Sequence, residues 1–382
     1  MVAIQWFFWV MVASVVYVYF GYPLLVFCAA HLAPRRVRKQ EQEPSVSILI
    51  AAYNECAHIG ATLENKLALD YPPEKLQIIV ISDGSTDGTD DVVRGYAARG
   101  VVALRQAPRN GKTAALNLAV PVATGEILVF ADANSLYDRA AVRHLVSNFA
   151  DPQVGYVTGK LAYLNPDGSM TGDGCSMYMR YENFIRSCES VVGSLVGVNG
   201  GIDAARRSLY EPMHADDLPD LVLPLRVIGQ GYRVVYEPAA LVSEAANGNA
   251  RDEYRMRVRV ALRALWALSD MPGLLNVRRY GFFAVQLVSH KALRYLAFFF
   301  MAGTFATAAV LWTEGWVYRV AFLLQVLFVI SGWLGYVAER SGRPRQLFFV
   351  PYYFVLVNAA ALQAFWKFLK GERHRVWNPR LG

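Results

Sequence analysis

Residues 45–55, SVSILIAAYNE, decide the fold: an apolar β-branched run, too short for a helix, breaks abruptly into a polar turn carrying an acid. The pattern returns in VISDGSTDGTD at 80–90 and in VFADANS at 129–135. Short apolar runs with helix-length stretches between them read as strands of a parallel sheet covered on both faces. Such sheets bind ligands at the carboxyl ends of their strands. Ala52, Tyr53 and Glu55 fall at one such end, Asp83 at the second, and Asp132 with Asn134 at the third. Two carboxylates converging on one crevice point to a bound cation or a phosphate-bearing ligand.

Around this core the chain of 382 residues has room for a second domain or a membrane part. Its hydrophobic fraction is 54% and its net charge is +7, a balance that suits a membrane surface or a nucleic acid. Placement decides between them. Basic residues cluster beside apolar segments, at 35–39, 340–345 and 367–375, as on the cytoplasmic flanks of membrane helices. No basic patch is interleaved with exposed aromatics, which argues against a nucleic-acid partner. Residues 4–30 carry no charge and exceed the ~20 residues that cross a bilayer. Positive charge follows this segment instead of preceding it, so it reads as an anchor and not a signal peptide.

Toward the other end, 295–312, 316–337 and 348–368 are each near bilayer length, and the first two form a hairpin through 313–315. Residues 282–290 read as an amphipathic interfacial helix, and Pro351 as a break that tilts the last segment. Three or four crossings result. The expected organisation is a transmembrane helix over 1–31, a cytosolic catalytic domain over 45–276, and an interfacial helix with two to three transmembrane helices over 277–382. The expected location is the inner (plasma) membrane. Four cysteines show no CxxC spacing, so no thiolate metal site or redox pair is expected.

AAYNE (51–55), SDGSTDGT (82–89), NGKTAALN (110–117) and FADANS (130–135), in this order, resemble the family 2 glycosyltransferases of GT-A fold. The likeness continues through GVNGGIDAARR (197–207) and DLVLPLRVIGQGYRVVYEP (220–238), and covers roughly 45–263. It implies an α/β fold, a GT-A nucleotide-sugar-binding domain with a mixed sheet, accompanied by α-helical transmembrane segments. The implied activity is inverting transfer from a nucleotide sugar, taken as UDP-linked, with Mg²⁺ or Mn²⁺. Membrane-integrated synthases of hyaluronan, cellulose and poly-N-acetylglucosamine are similar in this arrangement. Single-sugar transfer to a lipid is the rival, and a catalytically lapsed secretion partner a second.

In the family the metal is held at the third strand end, often by Asp-x-Asp. Here Asp132 is the anchor and the amide oxygen of Asn134 a weaker ligand, unless Asp132 merely caps a helix from Ser135. A hard cation held by one or two such oxygens keeps other positions for water and phosphate. The resemblance makes Asp83 an acceptor from the uracil imide, with Ala52, Tyr53 and Glu55 beside the nucleoside. Glu55 has a helix cap as its alternative. A calcium loop at 83–94 is excluded because Arg94 stands where a bidentate Glu is needed. Lys112 is placed near uracil or phosphate, or else in solvent; a P-loop is excluded because Gln106 replaces its first glycine.

Removing the acceptor hydroxyl's proton requires a carboxylate at the cleft. Asp220, with Arg226 six residues on, matches the family's base; Pro219 stands where an acid usually precedes it, which leaves Asp217 as the alternative. Arg251, Arg255, Arg259 and Arg263 share one helix face. Processive relatives carry Gln-x-x-Arg-Trp there. This chain has Val260 and Ala264 around Arg263, which remains to hold the departing diphosphate. Gly200 and Gly201 are placed under the acceptor. Glu182 and Glu189, beside Arg180 and Arg186, read as salt-bridged helix surface. The partners expected are a nucleotide sugar, a polysaccharide or lipid acceptor, membrane lipids, and an oligomer or export partner.

Overall fold

A computed structural model describes residues 1–164, 170–245, 250–341 and 345–373. The basic residues at 342–344 and 374–380 lie outside the described part, as do the side chains at 163–164, 170–176 and 245. The chain divides into two compact units. One holds Ala29–Tyr163, Glu182–Glu244 and Arg373; the other holds Met1–Cys28, the described part of Leu164–Tyr181, and the described part of Ala245–Glu372.

The first unit is a sheet of eight strands: β1 (Val46–Ala52), β2 (Leu76–Ser82), β3 (Val101–Arg105), β4 (Ile127–Asp132), β5 (Leu136–Tyr137), β6 (Val154–Leu164), β7 (Ile202–Arg206) and β8 (Arg233–Ala245). Their order is β3-β2-β1-β4-β7-β6-β8-β5. β1 runs parallel to β2 and β4, and β2 parallel to β3. Ile48, Leu49, Ile50, Ile79, Ile81 and Val129 are completely buried, on both faces, as the unbroken apolar runs require. Helix Cys56–Leu67 turns Ile59 and Leu63 inward, and helix Lys112–Ala119 turns Ala115, Leu116 and Ala119 inward.

Register fixes the site. Ala52 lies opposite Ser82, and Ala51 opposite Asp132, so Tyr53, Asp83 and Asp132 emerge along one edge. β7 pairs antiparallel with β4, Ile202 opposite Ala131, so its beginning reaches that same edge. Gly200 and Gly201 precede it there.

The second unit is helical. Among the described residues three helices are long and apolar enough to cross a membrane, Val2–Leu32, Trp316–Arg340 and Gln346–Leu369, with a fourth crossing if the bent pair Phe282–Tyr295 and Ala297–Val310 is one span. Phe8 packs with Ala308 and Leu311, and Val258 and Leu262 of helix Ala250–Asp270 pack with Ala360 and Ala364. Trp316–Arg340 and Gln346–Leu369 approach closely because glycine lines the contact. A Cβ on Gly335 would come within 2.7 Å of the Tyr352 Cβ, and one on Gly332 within 2.9 Å of Val355.

Two expectations change here. Pro351 does not break the last segment, which is one helix from Gln346 to Leu369. It sits in the second turn, where a missing N–H removes a single early bond. The segment expected to span over 295–312 is a shorter helix, Ala297–Val310, of 14 residues. At 1.5 Å per residue it reaches about 21 Å, short of a ~30 Å hydrocarbon core. It is bent by 58° against Phe282–Tyr295, and the break falls at Leu296, whose φ of −98° and ψ of 3° leave the helical region.

Candidate active site

At the first two strand ends the chain folds around Asp83. Its carboxylate accepts the backbone N–H groups of Asn110 (2.8 Å) and Gly111 (2.9 Å), and the side-chain amide of Gln106. The Arg109 guanidinium stands 3.5 Å from it and lies over the Tyr53 ring, 3.3 Å from the centroid. Asp83 is 4% exposed, so most of its acceptor capacity is engaged in shaping the 106–111 loop. The Glu55 N–H donates to Thr89 Oγ1 at 2.9 Å, and helix Cys56–Leu67 starts directly after it.

At the third strand end lies a charge cluster. Lys112 Nζ donates to Asp132 Oδ1 at 2.6 Å, and stands 3.8 Å from Asp220 Oδ1 and 3.5 Å from the Gly200 carbonyl. Burial opposes its charge, but Asp132, Asp220 and Asp203 together hold the ammonium well above the ordinary lysine range. Lys112 is therefore not the solvated lysine of the alternative reading. No helix follows Asp132: Ser135 turns back, its hydroxyl donating to the Asp132 carbonyl at 2.9 Å, and β5 begins at Leu136. The capping alternative for Asp132 lapses with that turn.

Beneath the turn, Lys66 is fully buried. Its Nζ donates to the Ser135 carbonyl (2.7 Å) and to Asn65 Oδ1 (3.0 Å), and lies 3.5 Å from the Tyr137 ring centroid. Burial pushes this ammonium down to about 7, against the attraction of Glu244 and Asp132. The Tyr137 hydroxyl donates to the carbonyls of Phe130 and Gly201, which ties β5 to the segment that precedes β7.

Gly200 has φ of +84°, and a Cβ there would meet Asp220 Oδ2 at 2.4 Å. Only glycine allows that carboxylate so close to the backbone. The segment before it is held from below. Arg186 Nε donates to the Gly197 carbonyl at 3.0 Å, and its NH1 to Asn199; Glu189 accepts the Val196 N–H at 3.2 Å. Glu182 pairs with Arg186 at 3.8 Å. These three are 0–5% exposed, which corrects the surface reading of this helix. Arg186 and Glu189 reach main-chain groups of Val196 and Gly197 and the Asn199 side chain, which no helical spacing reveals.

Asp217 is arranged differently from Asp220. Its carboxylate accepts the His214 N–H at 2.9 Å and pairs with Arg226 at 3.5 Å, while its carbonyl takes the Thr113 hydroxyl at 2.8 Å. Asp220 is in the first turn of helix Pro219–Gly229, where Pro219 occupies a position that needs no N–H. Arg263 belongs to the helical unit, buried on Ala250–Asp270, with Arg251 and Arg255 of the same face exposed.

Residues 47–207 match the family model described as glycosyl transferase family 2. They form a family 2 glycosyltransferase domain. The probable glycosyltransferase YdaM of Bacillus subtilis (strain 168) is 28% identical over 246 residues, 60% of this chain and 57% of that protein. The poly-beta-1,6-N-acetyl-D-glucosamine synthase of Staphylococcus aureus (strain COL) is 28% identical over 202 residues, 51% of this chain and 48% of that one. The match thus spans about half the length of these curated relatives. The fold is shared with the mannosyltransferase PcManGT from Pyrobaculum calidifontis, solved in complex with GDP-Man and Mn²⁺. The TM-score is 0.72 at 23% identity, covering 96% of this chain and 99% of that one.

In the family 2 domain the donor set fits a divalent cation. Among the described residues no three His, Cys, Asp or Glu side chains gather into a closed cage. Asp132 offers a carboxylate 35% exposed at the strand end, and Asn134 follows on the same turn. A carboxylate and an amide oxygen on one partly exposed turn suit Mg²⁺ or Mn²⁺, which hold the rest of their shell as water and phosphate.

Asp203 was not singled out from the sequence, although it lies in GGIDAARR. It is fully buried, and its Oδ2 accepts the Gly200 N–H at 2.9 Å. Burial first, then Asp220, push its carboxyl up to about 7. An unfolded Asp titrates near ~3.9, so between these values the folded family 2 domain keeps a proton that the unfolded chain has lost. The group's contribution to stability is present below pH ~4 and lost as pH rises toward 7. Asp203→Asn, neutral at every pH, should match the parent's melting temperature below pH ~4, exceed it modestly at pH 5 and by most at pH 8. The difference corresponds to about 2–4 kcal/mol. Parallel melting curves across that range would show that Asp203 is ionised in the fold.

Proposed function

We propose that the protein is a membrane-bound inverting glycosyltransferase that moves a sugar from a nucleotide sugar, UDP-linked, onto a growing polysaccharide. The observation that carries this reading is the meeting of Lys112, Asp132 and Asp220 at the carboxyl edge of a family 2 domain. In this reading Asp220 is the base. It takes the proton of the acceptor hydroxyl as that oxygen bonds to the anomeric carbon from the face opposite the leaving group. The bond from that carbon to the diphosphate breaks, and its electron pair departs with the diphosphate. Lys112 receives the departing charge, and Asp132 with Asn134 would hold Mg²⁺ or Mn²⁺, which would supply further positive charge there.

Tyr53, with Arg109 laid across it, forms a platform for the base of the nucleotide, and Asp83 fixes the loop that carries Arg109. Gly200 and Gly201 lie under the acceptor. Asp217 serves structurally through Arg226. The polymer acceptor is supported by the likeness to the poly-N-acetylglucosamine synthase. Membrane attachment is supported by the three apolar helices, and in this reading the membrane is the inner one and transfer takes place on its cytosolic side, where nucleotide sugars are made.

One experiment tests donor, product and orientation together. Sealed vesicles of either orientation receive radiolabelled UDP- and GDP-sugars, and products are sized. Labelled polymer from a UDP-sugar in cytosolic-side-out vesicles is the expected result. A product of one sugar on lipid would replace the polymer reading, and labelling only in the opposite vesicles would reverse the orientation.

A further inference from the structure

The geometry points to Lys112 as the coupling between cation and nucleotide. The ammonium that holds Asp132 must yield this carboxylate to a divalent cation, and then passes to the diphosphate, so that each ligand strengthens binding of the other. This inference rests on the metal-dependent reading above, in which a diphosphate would already add ligands to the cation, and it adds a competition between Lys112 and the cation which that reading does not require.

Three observations support it. First, Lys112 Nζ sits against the one carboxylate of the Asp132–Asn134 turn, at 2.6 Å, with Asp220 and the Gly200 carbonyl close by. A dication bound to Asp132 at ordinary ligand distance would lie within a few ångströms of that ammonium. Their repulsion is twice that of two single charges at the same separation. Cation and ammonium are therefore competitors for one site.

Second, the backbone beneath Lys112 is fixed while its head is on a long stem. Gly111 has φ of +90°, its N–H is held by Asp83, and its carbonyl accepts from Ala115. The four-carbon side chain can swing without moving the 106–111 loop or the helix it begins. Third, Lys112 is the first residue of helix Lys112–Ala119, the end that favours phosphate. A diphosphate placed there offers the ammonium an anion to replace Asp132. Moving Lys112 onto it removes the competitor from the cation, and by linkage the bound cation strengthens diphosphate binding equally.

The test is Mn²⁺ binding to the full chain in detergent, read by electron paramagnetic resonance, without nucleotide and with UDP or GDP. The wild type should bind Mn²⁺ weakly alone and about 10-fold or more tighter with a nucleoside diphosphate. Lys112→Met should bind Mn²⁺ alone about 10-fold tighter than the wild type, with the nucleotide's enhancement reduced by a similar factor. Lys112→Arg, which keeps a cation there, should retain the weak nucleotide-free binding. Wild-type binding as tight without nucleotide as with it overturns the coupling, whatever the variants do. Unchanged nucleotide-free affinity in Lys112→Met, with nucleotide-supported binding intact, overturns the competition alone. No Mn²⁺ binding by wild type even with nucleotide overturns the metal-dependent reading and the coupling with it.

Discussion

Asp220→Asn is expected to lower sugar transfer by about 10²–10⁴-fold, the usual effect of losing a general base. Nucleotide binding should change little, because the platform at Tyr53 and Arg109 lies at other strand ends. Asn keeps the shape beside Gly200 but accepts no proton. The comparison that matters is Asp217→Asn. That carboxylate already serves Arg226 and the His214 N–H, and Arg226 keeps a second anchor on the Pro212 carbonyl at 2.7 Å. A loss within about tenfold is therefore expected, with most of the change in stability, since a partly buried pair of this kind supports the loop and does no chemistry. If Asp217→Asn were dead and Asp220→Asn active, the base would be three residues earlier, and the cluster around Lys112 would serve only the donor.

Much of this site could be read from the sequence because its residues sit where apolar runs stop. The ends of β1, β2 and β4 mark Tyr53, Asp83 and Asp132 without any tertiary information. The antiparallel half of the sheet is different. Asp203 joins the site only because β7 returns beside β4 over some 70 intervening residues, and no local period announces that pairing. Arg109 and Lys66 are hidden in the sequence for another reason. An arginine in a loop and a lysine on a helix have solvent as their ordinary surroundings. Here Tyr53 and Asp83 claim the one, while Ser135, Asn65 and Tyr137 surround the other. Glu182, Arg186 and Glu189 misled in the same way. In the helical unit the bend at Leu296 occurs with neither Pro nor Gly at the break, so the apolar count alone suggests a straight span.

Asp132→Ala is expected to reduce transfer by roughly 10³-fold, since a cation supplies several kcal/mol to the departing charge and each 1.36 kcal/mol is tenfold in rate. The variant's residual activity should be indifferent to EDTA, whereas the parent's should collapse. Asn134→Ala should cost only about tenfold, because a neutral amide is the weaker of two ligands. Part of the Asp132 effect arises from Lys112. Deprived of its 2.6 Å partner, the ammonium is free to close the 3.8 Å gap to Asp220, and a base tightly paired to a cation is a poorer proton acceptor. Adding Lys112→Met to Asp132→Ala removes that pairing but restores no cation. The base is freed but the ammonium that receives the departing charge is lost as well, so the double variant's loss should be smaller than the product of the two single losses. Strictly multiplicative losses in this pair would show that Lys112 and Asp132 act independently. An Asp132→Ala enzyme still sensitive to EDTA would place the cation elsewhere.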